Sequence, residues 1–326
     1  MGEVARPFSN DRKPLQELVP LRTPMRLEID PSSICNFKCD FCFQHRVKNF
    51  HGTLLTRELF EKILSQVLEF EDPIKVLYLY TLGEPMVNQD LPYFIRRVHE
   101  TGAANKIAIT SNGSLLTHEL TDAMLDSGLN SLSISLNGLS DEDFQRVCNA
   151  KVDFEKLYDE ISYFYSKKGD CNLHIKIEGD YFSEEEQKYF LDRFSGICDS
   201  LFVDKLADIW PDVKIDADAN IYGLDNADDA LCPQPFYELC VHSDGNVTPC
   251  CAIWEVDDYN LGNVNDTTLK EIWGGQKLRD LQMQLLRKEP ADFDVCNRCN
   301  FPSCGASFSI TEFRDEILKK FEEHPL

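Results

Sequence analysis

Cys35-Asn36-Phe37-Lys38-Cys39-Asp40-Phe41-Cys42 is the stretch whose reading decides the fold. Three thiols fall within eight residues, spaced C-x3-C-x2-C. They follow Met25-Arg26-Leu27-Glu28-Ile29-Asp30, where apolar and polar residues alternate as in a half-buried strand. The thiols therefore sit on the loop that leaves the C-terminal end of that strand. Thiolates at this density suit zinc or an iron–sulfur cluster. Zinc would want a fourth ligand at finger spacing, and the nearest histidine, His45, is only three residues past Cys42. Three thiols on a cubane would instead leave one iron open for chemistry. Three buried structural cysteines are the bland alternative.

The 326 residues suffice for one large core and a smaller one, and the composition is that of a globular protein. The first twenty residues are polar and contain proline, and no apolar run reaches the roughly 18 to 20 residues that span a bilayer. A cytoplasmic protein with no membrane partner is expected. In that compartment thirteen cysteines argue for metal ligation over disulfides. The net charge of −23 is spread along the chain without a basic stripe, which disfavours nucleic acid as a partner.

Residues 1–24 hold Pro7, Pro14, Pro20 and Pro24 and read as an extended arm. Strands are then expected near 25–30, 74–80, 106–110, 131–135, 172–177 and 201–206, with helices between them. Six β-then-α units argue a parallel sheet with helices outside, an α/β fold of partial (β/α)6 barrel type over residues 25–214. Four motifs fall at C-terminal strand ends: the cysteine loop, Gly83-Glu84-Pro85, Ser111-Asn112-Gly113 and Leu136-Asn137-Gly138. In β/α barrels that end carries the active site.

C-x3-C-x2-C after a first strand, with Phe41 before the third cysteine, resembles the radical S-adenosylmethionine (SAM) enzymes. The resemblance implies a [4Fe-4S] cluster on Cys35, Cys39 and Cys42, with SAM chelating the open iron. Gly83-Glu84-Pro85 is similar to the family's GEP element, which holds the SAM amino group; read alone it is a turn. Ser111, Asn112, Ser135 and Asn137 fall where the family contacts the SAM carboxylate and ribose, and Arg146 is placed to pair with the carboxylate. The family's G-x-I-x-G-x-x-E element is at best vestigial in Ile175-Lys176-Ile177-Glu178-Gly179, which leaves the adenine contacts unassigned.

After an acidic linker at 215–231, a second group of thiols appears in residues 232–305, and residues 306–326 read as a C-terminal helix. A hairpin turning at Asp244-Gly245 would bring Cys232 and Cys250 together. A helix from Thr268 to Arg287 would return the chain to Cys296-Asn297-Arg298-Cys299. Four converging thiolates make a closed site for zinc or a fully ligated cluster. The spacing from Cys232 through Gly245 to Cys250, with Leu-Gly-Asn-Val and Glu-Ile-Trp elements beyond, resembles SPASM and twitch domains. That likeness implies one auxiliary [4Fe-4S] cluster on Cys232, Cys250, Cys296 and Cys299, and so two clusters per chain. Cys240, Cys251 and Cys304 are alternate ligands, and Cys171 and Cys198 are core thiols.

The resemblance also implies the chemistry. A reduced cluster passes an electron to SAM, and the resulting 5′-deoxyadenosyl radical takes a hydrogen atom from substrate. An external donor such as flavodoxin or ferredoxin supplies the electron. The short N-terminal arm favours a small polar substrate (a sugar, aminocyclitol or nucleoside-linked sugar) undergoing dehydrogenation or epimerisation. A peptide substrate is the runner-up, and a non-catalytic iron–sulfur module a distant third. Glu178, Asp180 and Asp208 are candidate bases. Cys148, beyond the fourth strand, is the candidate hydrogen donor.

Overall fold

The alternation seen in the first strand divides the whole sheet into two unlike faces. The computed structural model describes residues 2–4, 14–47, 50–206, 230–253, 259–304 and 310–323. Asp208 and nearly all of the acidic linker lie outside them. Among the described residues ten strands form one open sheet, β1 (Glu3–Val4), β2 (Arg26–Ile29), β3 (Val76–Tyr78), β4 (Ile107–Ser111), β5 (Ser131–Leu136), β6 (Asn172–Glu178), β7 (Ser200–Asp204), β8 (Glu238–Val241), β9 (Asn246–Thr248) and β10 (Gly262–Asn263). Their order is β1-β7-β6-β5-β4-β3-β2-β8-β9-β10. The run β2 to β7 is parallel throughout, the partial barrel expected from six β/α units.

One face carries Leu27, Ile29, Leu77, Ile109, Leu132, Ile134, Leu173, Ile175 and Leu201, all buried in the main core. The helices pack there. Helix Arg57–Val67 begins at Thr56, whose side chain accepts from the Leu59 amide, and buries Phe60, Ile63, Leu64 and Val67. Each such side chain contributes about 1.5–3 kcal/mol on burial, and each cap about 1 kcal/mol. The strand register puts Arg26, Glu28, Tyr78, Ser133, His174, Lys176, Glu178 and Asp204 on the other face. With helices covering the apolar side, this polar face is the concave one.

Both barrel edges are extended. β1 pairs parallel with β7, so part of the expected extended arm is sheet, and Leu15–Leu18 is a helical turn. β8 pairs parallel with β2, and β9 and β10 follow antiparallel. The β8–β9 turn has Gly245 at φ +88°, a left-handed conformation that suits glycine. The expected helix 268–287 is two helices, Leu269–Trp273 and Gln276–Arg287, because Gly274-Gly275 interrupts it. Buried Gln66 ties the two parts together: its Nε2 donates to the Val264 carbonyl at 2.9 Å, and its Oε1 accepts from the Leu269 amide at 3.0 Å. The C-terminal helix, Arg314–Glu323, packs on Gln276–Arg287 in a smaller core with Phe236, Leu286, Ile317 and Phe321.

Candidate active site

Loops from the ends of β3, β4 and β5 converge on the cysteine loop. Gly83 lies against its backbone; a Cβ there would stand 2.3 Å from the Ser32 carbonyl and 2.6 Å from that of Ile34. The Glu84 amide donates to the Ile34 carbonyl at 3.0 Å. The buried Glu84 carboxylate accepts from Ser111 Oγ at 2.7 Å, the Asn112 amide at 2.8 Å and the Met86 amide at 3.0 Å. Burial raises its pKa, and those three bonds work against the rise. Asn112 Nδ2 donates to Asn36 Oδ1 at 2.9 Å, and Asn137 Nδ2 approaches Cys39 Sγ at 3.8 Å. Thus Gly83, Glu84, Asn112 and Asn137 touch the cysteine loop, Ser111 holds Glu84, Pro85 is buried just after it, and Ser135 is half-buried on the concave face.

Cys35, Cys39 and Cys42 are close enough to feel one another electrostatically. Burial pushes Cys35 to about 12 and Cys42 to about 11. Cys39 is raised further by a hydrogen bond with Cys148 and then by burial. Such thiols ionise only beside a cationic group, as a cluster's irons would be, so the donor set fits one.

Arg146 has protein partners of its own. It is half exposed, pairs with Asp143 at 2.7 Å within its own helix, and donates to the Tyr181 carbonyl at 3.3 Å. Cys148 is fully buried behind the cysteine loop, next to Cys39 and 3.8 Å from the Asn137 carbonyl, off the concave face. Glu178 lies on that face, bound to Lys176 Nζ at 3.0 Å, while Asp204 takes the same ammonium at 2.8 Å. Burial raises Glu178, partly offset by Lys176. Asp180 is exposed and accepts from the Leu206 amide.

The second group of thiols lines a cavity of about 320 Å³ with Cys232, Cys250, Cys296 and Cys299, joined by Cys251, Gln234 and Lys288. Burial raises Cys232 and Cys250 strongly and Cys296 to about 12, and Cys250 feels Cys232 and Cys296. Among the described residues, no three His, Cys, Asp or Glu side chains gather as tightly as one metal ion requires. Four thiols around one cavity form a donor set that a [4Fe-4S] cluster can use. Cys240 is turned away and meets Glu28 Oε2 at 3.4 Å. Cys171 and Cys198 are core thiols, as expected.

The sequence reading passed over the floor of the concave face. Arg26 pairs there with Glu28 and with Glu238 at 3.5 Å, donates to Tyr80 Oη at 3.1 Å, and lies 4.4 Å from the Tyr78 ring. Arg26-x-Glu28 on β2 and Glu238-x-Cys240 on β8 show the same period-two pattern, the one available signal.

Two family models match the chain. The radical SAM superfamily model covers residues 29–186 and the SPASM iron–sulfur cluster-binding domain model covers 232–300. The chain belongs to the radical SAM superfamily. Its C-terminal part is a SPASM domain, and the cofactors of the two are [4Fe-4S] clusters and SAM. Among curated relatives, GTP 3′,8-cyclase of Staphylococcus haemolyticus is 26% identical over 168 residues, covering 48% of this chain. The match spans 46% of that enzyme's length. The tungsten-containing aldehyde ferredoxin oxidoreductase cofactor-modifying protein of Pyrococcus furiosus is 24% identical over 324 residues, covering 84% of this chain and 88% of its own. The fold is similar to BtrN in complex with AdoMet and 2-DOIA (TM-score 0.54, 18% identity, covering 85% of this radical SAM chain and 92% of that one). It is also similar to SuiB of Streptococcus suis bound to precursor peptide SuiA (TM-score 0.54, 16% identity, covering 89% and 72%). No described helix of this radical SAM enzyme is long and apolar enough to cross a membrane.

Proposed function

We propose that this radical SAM enzyme dehydrogenates a small polar substrate, a sugar or aminocyclitol, on the concave face of its barrel. When bound at Cys35, Cys39 and Cys42, the cluster and SAM supply a 5′-deoxyadenosyl radical that removes a hydrogen atom from substrate. Gly83 and Glu84, with Ser111, Asn112, Ser135 and Asn137, hold SAM against that loop. Cys232, Cys250, Cys296 and Cys299 hold the auxiliary cluster, and an external flavodoxin or ferredoxin is the electron donor.

The observation that carries this reading is the composition of the concave face. Hydroxyls, carboxylates and two cations are prominent on it, and such groups can hydrogen-bond the hydroxyls and amines of a small polar molecule. Lys176 already holds both Glu178 and Asp204, which leaves the face around it acidic. An acidic face repels phosphate and favours neutral hydroxyls or an ammonium, which places nucleoside-linked sugars behind aminocyclitols and amino sugars.

Peptide modification is the second reading, favoured by exposed Ile34, Leu54 and Leu115 beside the cysteine and Ser111-Asn112-Gly113 loops. The test is deuterium transfer. An aminocyclitol or amino sugar deuterated at its carbinol carbons should pass label into 5′-deoxyadenosine and emerge as a ketone. Label arriving only from a peptide would overturn the small-molecule reading.

A further inference from the structure

β6 and β7 bring a polar cluster to the C-terminal end of the concave face. Glu178 and Asp204 stand directly opposite one another in the strand register. Lys176, two residues before Glu178 and on the same face, donates from Nζ to Glu178 Oε1 at 3.0 Å and to Asp204 Oδ2 at 2.8 Å. Asp204 Oδ1 accepts from the Lys205 amide at 3.0 Å. Glu178 Oε2 takes no hydrogen bond from the described residues, although Glu178 is only 9% exposed. One oxygen of a nine-tenths-buried carboxylate is thus left open on the face where substrate is expected.

The cluster lies beside the radical source. Tyr181, three residues past Glu178, packs its ring on Phe41 of the cysteine loop with centroids 5.7 Å apart, and its phenol feels both Cys39 and Glu178. The charges within the cluster do not balance. Two buried carboxylates share one ammonium, and like charges set opposite in a sheet repel. His174, lower on the same face of β6, brings no cation: burial and then Lys176 lower its pKa to about 4. Burial raises Glu178, Lys176 opposes the rise, and Asp204 adds to it. One more cation at Glu178 Oε2 would bring the three side chains to neutrality.

We propose that Glu178 and Asp204, bridged by Lys176, form the subsite for the substrate's amine, an ammonium carried on the ring of an amino sugar or aminocyclitol. This rests on the small-polar-substrate reading above. Glu178 Oε2 accepts an N–H bond from the ammonium, and Asp204 adds its charge from the neighbouring strand. Lys176 keeps the two acids in place by holding the other oxygen of Glu178 and one oxygen of Asp204. A ring hydroxyl in the same position would donate to the same oxygen but leave the surplus negative charge uncompensated. The subsite therefore selects amine over hydroxyl and fixes how the ring is presented to the radical.

D-glucosamine and D-glucose, which differ by one amine for one hydroxyl, are the probes. Their binding to the anaerobic, SAM-loaded holoenzyme, followed by ligand-observed nuclear magnetic resonance, should favour glucosamine by about tenfold. Glu178→Gln and Asp204→Asn should each cut that preference to less than about threefold, with iron content and SAM affinity unchanged. Glu178→Asp, which keeps the charge, should retain more of the preference than Glu178→Gln. Glu185→Gln, altering an exposed carboxylate of helix Glu184–Phe194, should leave it intact. A parent that binds both sugars equally, or neither, overturns the proposal, as does a preference that survives both acid substitutions or falls with Glu185→Gln. Nα-acetyl-lysinamide held more tightly than glucosamine would put a peptide ammonium in the subsite and overturn the amino-sugar assignment. Failure of both acid variants to fold would mark the cluster as a structural pin and also overturn it. Equal sugar binding fails this inference alone, whereas an intact amine preference without deuterium transfer from an aminated small molecule fails the dehydrogenation reading.

Discussion

The two thiol sites are built in opposite ways. Cys35, Cys39 and Cys42 come from one loop of eight residues, and the rest of the barrel closes around it through short contacts from three strand ends. Cys232, Cys250 and the Cys296–Cys299 pair come from three separate segments, and the β8–β9 hairpin and the helices after it bring them to one cavity. The first site needs local sequence and a close glycine; the second needs the whole C-terminal part folded. Changes at the first should therefore be chemical in effect, and changes at the second both chemical and structural.

The largest test removes the first site. Anaerobically reconstituted chain should hold about eight irons if two cubanes are present. Changing Cys35, Cys39 and Cys42 to Ala should leave about four and abolish 5′-deoxyadenosine formation, measured by chromatography. A triple variant that still cleaves SAM would break the comparison at its root. The matching change at the second site, Cys296→Ser with Cys299→Ser, should remove about four irons while SAM is still cleaved without coupling to product. It should also lower the melting temperature, because the hairpin and helices lose a shared anchor. Zinc at one per chain in the parent would reassign that site.

Gly83→Ala sharpens the contrast. Its new methyl would meet the Ser32 carbonyl at 2.3 Å, so the cysteine loop or the Gly83 loop must move. We expect about 1–3 kcal/mol of destabilisation by urea unfolding and roughly tenfold weaker SAM binding by calorimetry, with the auxiliary cluster retained. Unchanged SAM affinity would mean that the close approach positions nothing.

Much of this was legible in the sequence because it depends on near neighbours. The C-x3-C-x2-C loop, the strand-end motifs and the six-unit alternation are all local patterns, and the sheet from β2 to β7 follows them. Partners set by long-range pairing were not legible. Nothing in Glu3-Val4 says that it pairs with Ser200-Leu201, and nothing in Glu238-Leu239-Cys240 says that it lies against Arg26-Leu27-Glu28. The Arg26–Glu28–Glu238 cluster hangs on that second pairing. Arg146 shows another limit: the sequence placed it for a SAM contact, and the fold adds an ion pair with an acid three residues earlier in its helix.

Cys148 is the smallest expected effect. On sequence it follows the fourth strand at the reactive end, where a thiol could return a hydrogen atom to a substrate radical. In the fold it lies behind the cysteine loop, its thiol against Cys39 and its backbone carbonyl accepting the Lys38 amide at 2.9 Å. That contact ties the loop to the helix end through the main chain, which Cys148→Ala would keep. The substitution trims one sulfur from a packed site, for about 1 kcal/mol by thermal or urea unfolding. Turnover should persist, and in deuterium oxide the product should be oxidised, with no solvent label at the attacked carbon. A labelled isomer that disappears in Cys148→Ala would make the outcome epimerisation and place that thiol within reach of substrate. A labelled isomer indifferent to the substitution would keep epimerisation and move the donor elsewhere.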